Sequence, residues 1–385
     1  MYAVLLWTLS EKTNIHNSQT LQEGSRRMKI EICDIPAELK KNPEVIKSKT
    51  LGFGQLFTDR MFICRWNPEE GWHDAKIQAH QSLTLDPAAL VFHYGQAIFE
   101  GLKAYRQQDG GVSLFRPEMN CIRMNQSADR LVMPAIPVEL QLEAIKKLVS
   151  LQDAWVPSTE GYSLYLRPTM IGSNAELGIK PAKEYIYYVI CSPVSGYFAD
   201  GFKTVKVVTT EKYARAADGG TGAAKCGGNY ASSLKALKEA KEAGYAQNLW
   251  LDSKEHRYVE EMGGMNIMFA YGKTIKTCPL TGTILPGITR DSLLKMLPEF
   301  GCNYEEPLLD IEQVCKDMDE GRITEIFACG TAAVVTPVHI LAHRGIEHFV
   351  GDGEPGEIST KLYEKLTGIQ TGKAEDKYGW NVRVI

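Results

Sequence analysis

Strand and helix signals in this chain do not alternate, and that order restricts the fold more than any other feature of the sequence. From Leu51 to Arg106 there are several short β-rich segments, among them "QLFTDRMFICRW" and "EGLKAYR", separated by turn residues. Two helical patterns follow. One starts after Pro117 and runs through "EMNCIRMNQSADRL"; the other is "VELQLEAIKKLVSLQDAW", Val138 to Trp155, with apolar residues three and four apart. Strands return at "YSLYLRPTMIG" and "EYIYYVICS". Strands, two helices and strands again predict an α+β unit. After the Pro/Gly/Ser-rich "PVSGYFADGF" come a strand "KTVKVVTT", a helix "NYASSLKALKEAKEAG" closed by Gly244, and a meander of short strands. So many strands with so few helices between them predict a barrel-like sheet over a doubly wound one. The division expected is a tail over 1–27, a smaller N-terminal unit over 28–192, a connector over 193–203 and a larger unit over 204–385.

A chain of 385 residues has room for roughly two domains. Its net charge of -4 gives no reason to expect nucleic acid or acidic membranes as partners. The 9 cysteines are scattered without a C-x-x-C pair, which fits a reducing compartment and suggests neither a disulfide framework nor a zinc site. His339, His343 and His348 lie in a Val/Ile-rich strand-and-turn stretch, so no metal is expected from them. No apolar run approaches the roughly 20 residues needed to span a bilayer. The apolar N-terminus lacks the preceding positive charge of a secretory signal. Arg26 and Arg27 make a case for a mitochondrial presequence, which Glu11 and Glu23 weaken. Cytoplasm is the expected location, with the mitochondrion as the alternative.

Five stretches carry candidate chemistry. "GGTGAAKCGGNYASS" surrounds Lys225 with residues of almost no bulk, at a strand-to-helix turn. It fails the P-loop pattern, since Ala224 precedes and Cys226 follows the lysine, and it fails the dinucleotide fingerprint by spacing. A lysine so exposed to a flat ligand can act as an amine toward a carbonyl and form a Schiff base. In "YVEEMGGMN", Glu260 and Glu261 adjoin an apolar strand, where only one of two neighbours faces inward. "LPGITRDSLL" puts the amides of Ile288 and Thr289 at a helix start, which suits a phosphate. "ACGTAAVVTPV" offers small residues and the Thr331 hydroxyl, and "FRPEMNCIRM" sets Arg123 on a helix face. An imine-forming lysine, an inward carboxylate and donors for a phosphate are together what pyridoxal phosphate requires.

With these motifs in hand the chain resembles the branched-chain aminotransferases, fold type IV of the pyridoxal-phosphate enzymes. The resemblance rests on "HYGQAIFEGLKAYR", "LYLRPTMIG", "AAKCGGNYASSL", "LPGITRDSLL" and "GTAAVVTPV", in that order, between about Leu51 and Trp380. It implies two domains, a smaller α/β one and a larger pseudo-barrel, and a homodimer. It implies that Lys225 binds pyridoxal 5'-phosphate covalently, that Glu261 pairs with the ring nitrogen, and that Tyr230 bonds the phenolic oxygen. Arg123, Ile288, Thr289 and Thr331 would hold the phosphate. Tyr94, Phe99, Tyr165 and Tyr197 would wall the substrate pocket, Arg167 would meet the distal carboxylate of glutamate, and the Thr331 and Ala332 amides would take the α-carboxylate. The activity implied is transfer of an amino group between L-leucine, L-isoleucine or L-valine and 2-oxoglutarate by a ping-pong mechanism. D-amino-acid aminotransferases and aminodeoxychorismate lyases share the lysine, the glutamate and the phosphate cradle, and are the alternatives, with a non-catalytic relative of the same fold as a further one. The chain departs from mammalian relatives at Ala333 and Thr336, where they carry a C-x-x-C pair, and at Gly264, where they carry threonine. Val194 stands where bacterial members often have tryptophan.

Overall fold

A computed structural model describes residues 28–47, 51–196 and 202–385. The expected tail over 1–27 lies outside them. The first sheet is built from β1 (Glu31–Ile32), β2 (Arg60–Asn67), β3 (Gly71–Ala79), β4 (Ala97–Phe99), β5 (Leu102–Arg106), β6 (Val112–Phe115), β7 (Ser163–Gly172) and β8 (Tyr185–Val194). Their order is β1-β3-β2-β8-β7-β5-β6, with β4 paired to β7. Period-two alternation sorts each strand between two faces. In β8, Tyr185, Tyr187, Val189 and Cys191 enter the main core while Ile186 joins Ile63 and Ile171 in a smaller cluster on the other side.

Helices cover the first of these faces. α1 (Leu90–Tyr94) precedes β4, and α2 (Pro117–Arg130) and α3 (Val138–Ser150) lie in the interval between β6 and β7. α2 begins with proline at its first position, where a missing N–H costs nothing. α3 stops earlier than its apolar pattern extends. Arg106 binds the Asp153 carboxylate and the Asp153 carbonyl, each at 2.7 Å, and the chain tightens into a 3-10 turn over Asp153–Trp155 that buries Trp155.

The second sheet uses β9 (Val205–Thr209), β10 (Gln247–Leu251), β11 (Val259–Met262), β12 (Met265–Tyr271), β13 (Thr274–Thr277), β14 (Asn303–Glu305), β15 (Glu325–Gly330), β16 (Val334–His343) and β17 (Ile346–Phe349). Six of them run β11-β10-β9-β16-β15-β12, and β12 pairs again with β11. The ring is a closed barrel, as the excess of strands over helices predicts. A ninth strand of the first sheet, β18 (Asn381–Arg383), pairs antiparallel with β6. That sheet therefore draws on residues far beyond the 28–192 range.

The helix expected over "NYASSLKALKEAKEAG" is two: α4 (Gly227–Ala231) and α5 (Leu234–Glu242). Between them the Ser232 and Ser233 hydroxyls donate back to the Asn229 and Tyr230 carbonyls, at 3.1 and 2.7 Å. Such back-bonding competes with the helical ladder and explains the break. The remaining helices are α6 (Ile288–Met296), α7 (Ile311–Asp319), whose N-cap Asp310 accepts from two backbone amides, and α8 (Glu357–Gln370).

Leu148 is fully buried between α3 and the first sheet, and Leu151, just past the helix, is 39% exposed. Leu148→Ala is expected to cost about 2–5 kcal/mol and Leu151→Ala less than about 1 kcal/mol in chemical denaturation. Equal losses would contradict the packing described.

Candidate active site

Lys225 lies where the two halves of the chain meet, and its backbone is fixed from the first half. The Phe99 N–H at the end of β4 donates to the Lys225 carbonyl at 3.0 Å, and the Lys225 N–H donates to Ser127 Oγ of α2 at 2.9 Å. Its Nζ donates to the Tyr230 hydroxyl at 2.7 Å. The Phe99 and Tyr230 rings pack 4.9 Å apart, and Nζ lies 5.1 Å from the centre of each. The small neighbours divide into two kinds. A Cβ on Gly222 would meet the Thr283 carbonyl at 2.2 Å, so that glycine serves packing of backbone on backbone. Gly227 and Gly228 face open space, and a Cβ on Gly264 would meet only Tyr230, at 3.6 Å.

A cavity of about 360 Å³ opens around this lysine. Arg123, Tyr230, Glu261, Ile288, Thr289 and Thr331 line it, with Phe99, Tyr165, Arg167 and Ala332. Tyr94 does not: it stands 42% exposed at the end of α1, away from the cavity of its own chain. Tyr197 lies outside the described residues.

Glu260 and Glu261 are both buried, but only Glu261 of the two lines the cavity. The Gly263-Gly264 turn between β11 and β12 sets Glu261 opposite Asn266. Glu261 Oε1 accepts from the Leu285 N–H at 3.1 Å and from Asn266 Nδ2 at 3.2 Å. Its Oε2 lies 2.6 Å from Arg215 Nε, yet no hydrogen-bond donor points at that oxygen. Burial pushes the Glu261 carboxyl up to about 7, against the opposing charge of Arg215 and the Leu285 amide.

Arg123 binds Glu100 through Nε at 2.7 Å and Nη2 at 2.8 Å, and the Pro286 carbonyl through Nη1 at 3.0 Å. Of the five N–H groups of a guanidinium, two remain for a ligand. Burial raises the Glu100 carboxyl, but the charges of Arg123 and Lys225 and the Arg123 and Asn120 hydrogen bonds reverse this and leave it below the ordinary value. The Ile288 and Thr289 amides, in the first turn of α6, have no intrahelical acceptor. Thr331, Ala332 and Ala333 form the turn between β15 and β16. Arg167 lies 4.7 Å from the Phe99 ring centre and 5.3 Å from that of Tyr165, and its Nη2 donates to the Tyr165 hydroxyl at 3.1 Å. Among the described residues no carboxylate pairs with it, and its buried Nε has no acceptor.

Several lining residues escape a reading of the sequence. Arg215, in "YARAADGG", carries no signal of its role. Phe53, whose ring packs 4.9 Å from Tyr165, sits in a glycine-broken stretch ahead of β2. Asn266 could have been found, because a two-glycine turn after "EEM" fixes the hairpin register that faces it toward Glu261.

The sequence model of the family described as amino-transferase class IV matches residues 97–341. A "Branched-chain-amino-acid aminotransferase" of Mycolicibacterium smegmatis is 48% identical over 86% of this chain and 92% of its own length. The solved branched-chain amino acid aminotransferase from Escherichia coli is 27% identical, covers 85% of this chain and 99% of its own, and superposes with a TM-score of 0.69. The T.th. branched-chain amino acid aminotransferase, solved with pyridoxamine 5'-phosphate, is also 27% identical, covering 84% of this chain and 98% of its own with a TM-score of 0.68.

The Glu261 carboxyl titrates higher folded than unfolded, so it adds nothing below about pH 4.5 and lowers stability as pH rises from there through about 7. In ligand-free protein, the Tm of Glu261→Gln relative to wild type should therefore shift in the variant's favour between pH 4.5 and pH 7.5. A thermal-denaturation series in which the gap stays constant with pH would refute this.

Proposed function

The chain belongs to the branched-chain-amino-acid aminotransferases of class IV, and on that premise we propose a role for each group around Lys225. The family depends on pyridoxal 5'-phosphate, and the residues present suit it. Glu261 Oε2, buried and without a donor, suits a protonated ring nitrogen. The two remaining Arg123 N–H groups, the Ile288 and Thr289 amides and the Thr331 hydroxyl suit a phosphate dianion. Bound there, the cofactor supplies the carbonyl that receives the amino group and a ring that accepts the electron pair left at the substrate Cα.

The chain's own contribution is positioning, proton transfer and exclusion of water. Lys225 Nζ anchors the cofactor and is the base that moves the proton from substrate Cα. The Tyr230 hydroxyl, 2.7 Å from Nζ, orients that amine and would donate to the phenolic oxygen. The Thr331 and Ala332 amides receive the α-carboxylate. Phe53, Phe99 and Tyr165 provide apolar walls for the side chains of leucine, isoleucine and valine.

Arg167 carries the reading that one pocket serves both substrates. Its guanidinium lies against two aromatic faces, compatible with an aliphatic side chain, and has no carboxylate partner of its own among the described residues. It is free to meet the distal carboxylate of glutamate or 2-oxoglutarate. Two substrates that take turns at one site give ping-pong kinetics.

The exposed apolar side chains Phe92, Tyr94, Leu177 and Ile179 share one region, tied by the Ala89–Ala175 bridge. They support a homodimer in which Tyr94 walls the cavity of a second copy. No helix among the described residues is long and apolar enough to cross a membrane, and the cysteines are free. Both are compatible with a cytoplasmic enzyme.

Purified protein should form glutamate from 2-oxoglutarate with L-leucine, L-isoleucine and L-valine, with parallel double-reciprocal plots. Glutamate from D-alanine alone would sink the assignment. Lys225→Ala should lose about 10⁴-fold in kcat. Arg167→Met should raise KM for 2-oxoglutarate roughly tenfold to hundredfold while that for 4-methyl-2-oxopentanoate moves far less. For the dimer, Tyr94→Ala should raise KM while sedimentation still reports two chains; a monomeric wild type would refute that arrangement.

A further inference from the structure

Behind the turn that joins β15 to β16 lies a cation that the reaction as described leaves unused. Lys103, on β5, is only 6% exposed. Its Nζ donates to the Ala332 carbonyl at 2.9 Å, and no carboxylate among the described residues forms an ion pair with it. Burial alone pulls it down, to about 8, with no neighbouring charge opposing the shift. An ammonium group in apolar surroundings is costly unless an anion compensates it. A void of about 20 Å³ is lined by Lys103 and Val334 together with Ile288, Thr289 and Thr331, which also line the ligand cavity.

The geometry of the turn gives this lysine a task. In a trans peptide the Ala332 carbonyl and the Ala333 N–H point in opposite directions. Lys103 holds the carbonyl from behind, which aims the Ala333 N–H toward the opposite side, where Ala333 lines the ligand cavity. None of the Thr331, Ala332 or Ala333 amides donates to an acceptor among the described residues. The next residue, Val334, has φ of 64°, a left-handed conformation that a β-branched side chain resists. Such a conformation persists only where its surroundings impose it.

We propose that Lys103 is a positioning residue which pins the Thr331–Ala333 turn as a receptor for the substrate α-carboxylate and supplies the positive charge that this carboxylate neutralises. The proposal rests on the reading that this turn receives the carboxylate. It adds the Ala333 amide to the receptor and a charge that acts through the turn without touching substrate. The carboxylate keeps its charge throughout the reaction, so Lys103 stabilises ground state and transition state alike. Its loss is therefore a KM effect and leaves kcat in place.

Holoenzyme and the unreactive carboxylate 4-methylvalerate test this by calorimetric titration. Lys103→Met keeps the bulk of the stem and removes the charge; Lys103→Gln serves the same comparison if a thermal scan shows the methionine variant unfolded. The neutral variant should bind 4-methylvalerate roughly tenfold to hundredfold more weakly, the size of a charge-assisted hydrogen bond. Its KM for L-leucine should rise by a similar factor with kcat within about threefold of wild type, since the effect is uniform. Lys103→Arg keeps the charge and should recover most of the affinity. Affinity within about twofold of wild type in the neutral variant overturns the proposal, as does a fall in kcat with affinity intact, or an arginine variant as weak as the neutral one. Wild-type holoenzyme that fails to bind 4-methylvalerate removes the carboxylate reading of the turn, and the role of Lys103 with it.

Discussion

Lys225 can offer a mobile side chain because its main chain is held by groups from another part of the sequence. The carbonyl is taken by the Phe99 amide at the end of β4, and the amide by a serine hydroxyl of α2. The same helix reaches across repeatedly. Arg123 binds the Pro286 carbonyl ahead of α6, and Arg130 binds the carbonyls of Gly219 and Gly220 ahead of the lysine. Arg116, capping α2 in a left-handed conformation, binds Ser292 and the Ile288 carbonyl on α6. These hydrogen bonds from the first unit all end on segments carrying the site. A shift of one unit against the other would move the lysine and the other groups lining the cavity together.

The cavity is also a balance of buried charge. Two ion pairs, Glu100–Arg123 and Arg215–Glu261, close locally, and each leaves part of its capacity open. Arg167 and Lys103 have no carboxylate among the described residues. A cofactor with an anionic phosphate and a cationic ring, and a substrate with one or two carboxylates, complement these groups. Binding such ligands supplies opposite charge where the protein has buried an excess, and it does so in a region where screening by water is weak. On the proposed reading, the arrangement would favour dicarboxylates and amino acids over neutral molecules of the same shape.

Much of this was legible in the residues. Period-two and period-three-to-four patterns locate β7, β8, α2 and α3 within a few positions, because burial on one face imposes them. Lys225, Glu261, Ile288, Thr289 and Thr331 sit in short motifs whose neighbours are small or turn-forming, and the fold brings all of them to one cavity. The misses have physical causes. Whether α3 continues past Ser150 depends on Arg106, whose position no local pattern reveals. The break between α4 and α5 turns on two hydroxyls that suit a helix surface equally well. Arg215, through Glu261 and the Thr283 carbonyl, and Lys103, through the Ala332 carbonyl, matter by long-range contacts, and a lone basic residue in sequence looks the same whether it ends in solvent or beneath a turn. Tyr94 illustrates the opposite limit: the resemblance of its motif implies a pocket wall, but the fold of one chain holds it outside its own cavity.

The closing of the first sheet by β18 has a consequence for biosynthesis. β6 presents an open edge from the moment it is made until residues near 382 leave the ribosome, after the whole barrel has been synthesised. An unpaired edge is a template for other extended chains, and N-terminal units of a nascent chain fold first. During translation the first sheet must therefore persist in an unfinished form, with its completion coupled to arrival of the last segment. Truncations that spare every residue of the cavity would still leave that edge exposed, and their defect would appear as aggregation of nascent protein before any loss of chemistry.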